Sequence, residues 1–357
     1  MTPFSLPGNY GYTYDQIYRL IDADNPTTTD EAFTYDAVGN RLTDAGVTGD
    51  WSYNTNNELL GYDDLPCEYD ANGNMIRKTS GGQVTNYTYN LENRLTRVEN
   101  GTGEVIAEYY YDPFGRRLWK EVSGVRTCFH YSEEGLIGEY DATGTETKTH
   151  GYKPDSTWTT DPLFMKEDGQ YFFYHNDHLG TPQKMTSVNG AVVWSVKYES
   201  FGKAEVDAGS VVENNLRFPG QYEDVESGLC YNYFRYYGQN LGRYLRTDLM
   251  GLVSRDVNLY LYAGNNASKF IDEYGLKKKC NQCQESKFSL PVFMGCILMP
   301  GAFVGATEVV ACLACFGKVV LPVPEWMSCV VCGGGVIAQI GAILKCIDKA
   351  TLCVDKY

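Results

Sequence analysis

The chain has 357 residues, enough for one large or two ordinary domains, and carries 30 Lys and Arg against 45 Asp and Glu, a net charge of −15. The imbalance lies in the first 276 residues, with 22 basic and 40 acidic side chains; the last 81 hold 8 Lys, no Arg and 5 acids. An acidic surface of this kind argues against nucleic acid as a partner, because phosphate binding needs a basic face.

Met1–Pro7 has neither the charged start nor the apolar stretch of a signal peptide. An export signal is therefore expected elsewhere, and the chain reads as the C-terminal piece of a longer repeat protein. A short phrase then recurs: Tyr35-Asp36-Ala37-Val38-Gly39-Asn40-Arg41-Leu42 returns at Tyr69-Asp70-Ala71-Asn72-Gly73-Asn74 and at Tyr111-Asp112-Pro113-Phe114-Gly115-Arg116-Arg117-Leu118. With the copies at Tyr14, Tyr53, Tyr89 and Tyr140, the starts are 21, 18, 16, 20, 22 and 29 residues apart. Such an interval signals a repeat architecture in which each unit buries its apolar face on its neighbours.

The flanks of each phrase, such as Glu108-Tyr109-Tyr110-Tyr111, favour strand. Asp opens a turn by bonding the backbone two residues on, and Gly supplies the positive φ that closes it. Each phrase is thus a predicted β-hairpin, and the Leu or Ile after it is expected to face inward. The fold class is all-β: hairpins in a long sheet that must curl or close to protect its edges. Of 29 Tyr, 28 precede residue 277, too many for catalysis, and they are expected to be structural. His175 and His178, i and i+3 in a predicted turn, are expected to make structural hydrogen bonds; no metal and no cofactor is expected.

Three domains are expected: a hairpin array over 1–170, a core over 171–276 and a tail over 277–357. The core carries an ordered series: Tyr174-His175-Asn176-Asp177-His178-Leu179-Gly180, then Leu216-Arg217-Phe218-Pro219-Gly220-Gln221-Tyr222, Gly228-Leu229-Cys230-Tyr231-Asn232-Tyr233-Phe234-Arg235-Tyr236-Tyr237, Asp248-Leu249-Met250-Gly251 and Ile271-Asp272-Glu273-Tyr274-Gly275-Leu276. In this order it resembles the core-associated end of the Rhs/YD-repeat family.

The resemblance implies a hollow β-cocoon wound from hairpins, of which this chain supplies part, enclosing or presenting a variable C-terminal toxin. It implies self-cleavage after Leu276 by core aspartates, with Asp248 and Asp272 the candidates. Two carboxylates in a dry cavity cannot both ionise easily, so one serves as acid while the other activates water. Gly238, Leu249 and Glu273 depart from the family's pattern. The implied partners are upstream Rhs shell repeats or secretion machinery, with an immunity protein for the toxin; the expected location is secreted or cell surface. The alternatives are a surface YD-repeat adhesion or carbohydrate-binding protein, and an inactive orphan cassette.

After Leu276 the phrase stops. Cys280, Cys283, Cys296, Cys312, Cys315, Cys329, Cys332, Cys346 and Cys353 leave disulfides and zinc both open. Phe288–Thr307 and Trp326–Leu344, 20 and 19 residues without a charge, approach the length of a membrane span. A small, α-helical, membrane-contacting tail is the expectation.

Overall fold

The computed structural model describes residues 10–276, save positions 27, 45, 48, 64 and 255, together with the backbone of Lys279–Cys280. The tail expectations, with all nine of its cysteines as ligands or disulfide partners, lie outside the described residues.

The described chain is a succession of antiparallel hairpins. β1 (Gly11–Tyr14), β2 (Leu20–Asp24), β3 (Glu31–Tyr35) and β4 (Arg41–Asp44) form one sheet in sequence order. Sixteen further strands, from β5 (Ser52–Tyr53) to β20 (Ala204–Val206), form a second sheet, again in sequence order. This sheet runs unbroken across residue 170. It is open, ending on β5 and β20. The chain then folds as a small sheet of β21 (Tyr222–Asp224), β22 (Leu229–Asn232), β23 (Arg235–Gly238) and β24 (Arg243–Tyr244).

One turn explains the repeat. Asp36 Oδ1 accepts the amides of Val38 at 3.0 Å and Asn40 at 2.8 Å, while Gly39, at φ +88°, donates its amide to the Asp36 carbonyl. The bonds recur at Asp70 and Asp112. At five of the turns the Tyr that ends the incoming strand donates its hydroxyl to a carbonyl of the preceding unit: Tyr35 to Leu20 (2.7 Å), Tyr53 to Arg41 (2.8 Å), Tyr89 to Met75 (3.0 Å), Tyr111 to Leu95 (2.5 Å) and Tyr152 to Leu136 (2.7 Å). These tyrosines are clamps between hairpins, with ring area buried and the hydroxyl satisfied.

One expectation is corrected. The Leu after the phrase does not face inward: Leu42 and Leu118 are 37% and 38% exposed, whereas Arg41, Met75 and Arg117 before the corresponding Leu or Ile are buried. The cause is a β-bulge. Tyr35 opposes Arg41 and Thr34 opposes Thr43, so Leu42 is an extra residue without a ladder partner. The same slip isolates Ile76 and Leu118. Inward arginines then need partners, and buried Arg117 pairs with buried Asp224 of the small sheet.

The core segment is seated on the row of turns. At five turns the left-handed residue aims its carbonyl out of the ladder, and a core side chain takes it. Asn266 binds Tyr18 O (2.7 Å), Asn265 binds Gly39 O (2.7 Å), Arg243 binds Asn57 O (2.5 Å), Tyr260 binds Gly73 O (2.9 Å) and Arg246 binds Asn93 O (2.9 Å). These bonds place residues 235–276 beside the hairpin array and fix the site described next.

Candidate functional site

Asp248 opens a repeat-type turn: its Oδ1 accepts the Met250 amide at 2.7 Å and its carbonyl the Gly251 amide at 3.0 Å. Asp272 opens another, with its Oδ1 on the Leu276 amide at 2.8 Å. Gly275 makes that turn possible. Its φ is +68°, and a Cβ there would lie 2.6 Å from the Asn232 carbonyl oxygen, so only glycine fits.

The second oxygens of the two carboxylates converge. Asp248 Oδ2 and Asp272 Oδ2 each lie 3.1 Å from the same nitrogen, Nη2 of Arg235 on β23. All three side chains are buried, Arg235 and Asp272 to 2% exposure and Asp248 to 9%. Arg235 is itself held: Nε donates to the Gly275 carbonyl at 2.5 Å, Nη1 to the Leu259 carbonyl at 3.0 Å, and its guanidinium lies 3.5 Å over the Tyr244 ring. The Tyr244 hydroxyl donates to Asp272 Oδ2 at 2.9 Å. Asn232 donates to the Asp272 carbonyl at 2.8 Å and to the Tyr244 hydroxyl at 2.9 Å.

Burial pushes the Asp248 carboxyl up to about 6, against the downward pull of Arg235 and with a further upward push from Asp272. Asp272 accepts from Arg235 and Tyr244 at Oδ2 and from the Leu276 amide at Oδ1. The raised Asp248 can therefore hold a proton, while Asp272, joined to it through Arg235, binds Leu276.

The predicted site residues Asp248, Asp272 and Leu276 thus meet, and Arg235, to which sequence reasoning gives no role, joins them. The available signal was its place between two aromatic residues in the core series: an arginine in a buried strand demands acids. Gly238 lies on β23, where a Cβ would meet Leu241 and Leu245. Leu249 is exposed, and Glu273 is buried with its carboxylate on Thr157.

The two histidines part company. His175 bonds Thr186 at 3.0 Å and His178 the Ser268 carbonyl at 3.0 Å. Among the described residues no three His, Cys, Asp or Glu are grouped to hold a metal, and no helix is long and apolar enough to cross a membrane.

The sequence model of the family described as Teneurin YD-shell matches residues 7–268. The chain belongs to the YD-shell family. The match takes in Arg235 and Asp248 and stops short of Asp272 and Leu276. Among similar proteins are double-stranded DNA deaminase toxin A of Burkholderia cenocepacia, 33% identical over 77% of this chain and 21% of that protein. A second is the tRNA3(Ser)-specific nuclease WapA of Bacillus spizizenii, 31% identical over 73% of this chain and 12% of that protein. The YD shell described here thus spans about a fifth or less of these relatives. Among solved structures, TcdB2-TccC3-Cdc42 is similar at 16% identity and a TM-score of 0.44, over 75% of this chain and 18% of that one.

Proposed function

We propose that this chain is the C-terminal part of an Rhs-type polymorphic toxin: a YD shell that encloses or presents the segment after Leu276 and frees it by cutting itself there. The relatives named as toxins and nucleases support the toxin role. The shared grip of Arg235 on Asp248 and Asp272, with the Leu276 amide bonded to Asp272, carries the self-cleavage. In the proposed step Asp272 takes a proton from water as its oxygen bonds the carbonyl carbon of Leu276. Asp248 gives its proton to the Lys277 nitrogen as the C–N bond breaks, leaving a carboxylic acid on Leu276 whose proton passes to the freed amine.

Upstream shell repeats or secretion machinery would complete and export the assembly, and an immunity protein would guard the producer. The charge-free stretches at 288–307 and 326–344 support a membrane as the target of the freed tail. The test is a denaturing gel of the purified full chain beside Asp248→Asn and Asp272→Asn. Two bands for the unsubstituted chain and one for each variant are expected. One uncut band for all three overturns self-cleavage and favours a surface YD protein that retains its tail.

A further inference from the structure

Next to the carboxylate pair lies a buried feature that the proposed cleavage does not use. A cavity of about 10 Å3, room for one water-sized particle, is lined by Arg94, Arg235 and Arg246 together with Tyr89, Tyr111 and Phe234. All three arginines are more than nine-tenths buried. Among the described residues, Arg235 alone of the three is ion-paired to buried carboxylates, the pair already described; Asp248 attracts Arg246 as well, from beyond ion-pair distance.

Arg94 donates Nη1 to the Gly115 carbonyl at 2.8 Å. Its Nε makes no hydrogen bond, and its acidic neighbour is the largely exposed Glu92 side chain at 3.4 Å. Arg246 gives Nη1 to the Asn93 carbonyl at 2.9 Å and the Glu92 carbonyl at 3.4 Å. Its Nε is buried without a partner, and it forms no ion pair among the described residues. Burial, then repulsion from Arg94 and Arg235, pushes the Arg246 guanidinium down to about 10 against the weaker pull of Asp248, which still leaves it charged at neutral pH.

The cavity walls offer no remedy. The Tyr89, Tyr111 and Tyr233 hydroxyls already donate to the Met75, Leu95 and Phe114 carbonyls. The Tyr236 hydroxyl is bonded to Tyr111 and Arg117, the Asn93 side-chain oxygen accepts from Asn72 and Asn74, and Phe234 brings only a ring. A buried guanidinium with an idle N–H, two like charges beside it and no carboxylate in contact is unfavourable, and a small anion against it would offset that cost. A space of this size is small for phosphate or a carboxylic acid and is nearest to that of a water or a monatomic ion. We propose that this cavity binds one small monovalent anion, chloride in ordinary solution, between Arg246 and Arg94. Because Arg246 and Arg94 also hold the Asn93 and Gly115 turns, the bound ion would stiffen the contact between the hairpin array and the core.

The test compares thermal unfolding of the full chain in sodium chloride and in sodium gluconate, whose anion is too large, at matched ionic strength. A midpoint higher by a few degrees in chloride, rising with chloride concentration, is expected. Arg246→Gln should make the two salts equivalent. Equal midpoints in the unsubstituted chain, or an unchanged difference in Arg246→Gln, overturn the proposal. Should that variant fail to fold, crystals of the unsubstituted chain grown in sodium bromide decide: one anomalous peak beside Arg246 supports the site, and its absence refutes it. Neither readout depends on whether the chain cuts itself.

Discussion

In the hairpin array, Asp36 uses Oδ1 to hold two amides of its own turn and Oδ2 to hold the Asn40 side chain at 2.9 Å, so the whole carboxylate is consumed within five residues. In the core, Asp248 and Asp272 make the local Oδ1 bond in turns of the same Asp-x-x-Gly form but send Oδ2 to Arg235, outside either turn. The environments differ as much as the bonds. At Asp141 in the array, hydrogen bonds from Thr143 and the turn backbone hold the carboxyl below its usual range, whereas at Asp248 burial drives it up. A turn device used throughout the shell becomes candidate chemistry where burial and a shared arginine are added to it.

The largest effect should come from removing what the two core turns share. Arg235→Met leaves Asp248 and Asp272 buried without their common cation, and should cost about 3–5 kcal/mol in urea unfolding. A loss below ~1 kcal/mol would show that the trio is not the hub of the core.

The next contrast is in pH. Asp248 rises from 3.8 to about 6 on folding, so between those values the native state binds more protons than the unfolded one. Its contribution to stability therefore falls as pH rises through that window. The unsubstituted chain should lose stability relative to Asp248→Asn between pH about 4 and 6, measured as the difference between the two urea midpoints. A difference that stays flat or moves the other way contradicts the burial account.

In the array, Asp70→Ala removes the acceptor of the Asn72 and Asn74 amides and should cost about 1–3 kcal/mol. The smallest effect belongs to the bulge: Leu118→Lys should stay within about 0.5 kcal/mol, because that side chain points outward. Were Leu118→Lys to unfold the chain, the bulge register would be wrong.

The array was legible in the sequence because its rules are local. The turn carboxylate reaches residues two and four along, and glycine marks the left-handed position. The bulge was not legible, because strict alternation predicts Leu42 inward and only the pairing of Thr34 with Thr43 reveals the extra residue. Asp248 and Asp272 could be picked out by their place in the core series, and as turn residues they obey the array's rule. Arg235 could not be picked out, since its acids lie 13 and 37 residues away and meet it only when β23 lies against both turns. The Arg246 cavity was equally hidden, since it needs a hairpin from residues 89–111 on one side and the core on the other.

The most direct measurement of the central claim is the intact mass of every fragment in a fresh preparation of the full chain, with Asp248→Asn alongside. The account predicts one fragment ending at Leu276 and one beginning at Lys277, both absent from the variant. A single mass for all 357 residues, or a cut at any other bond, would contradict it.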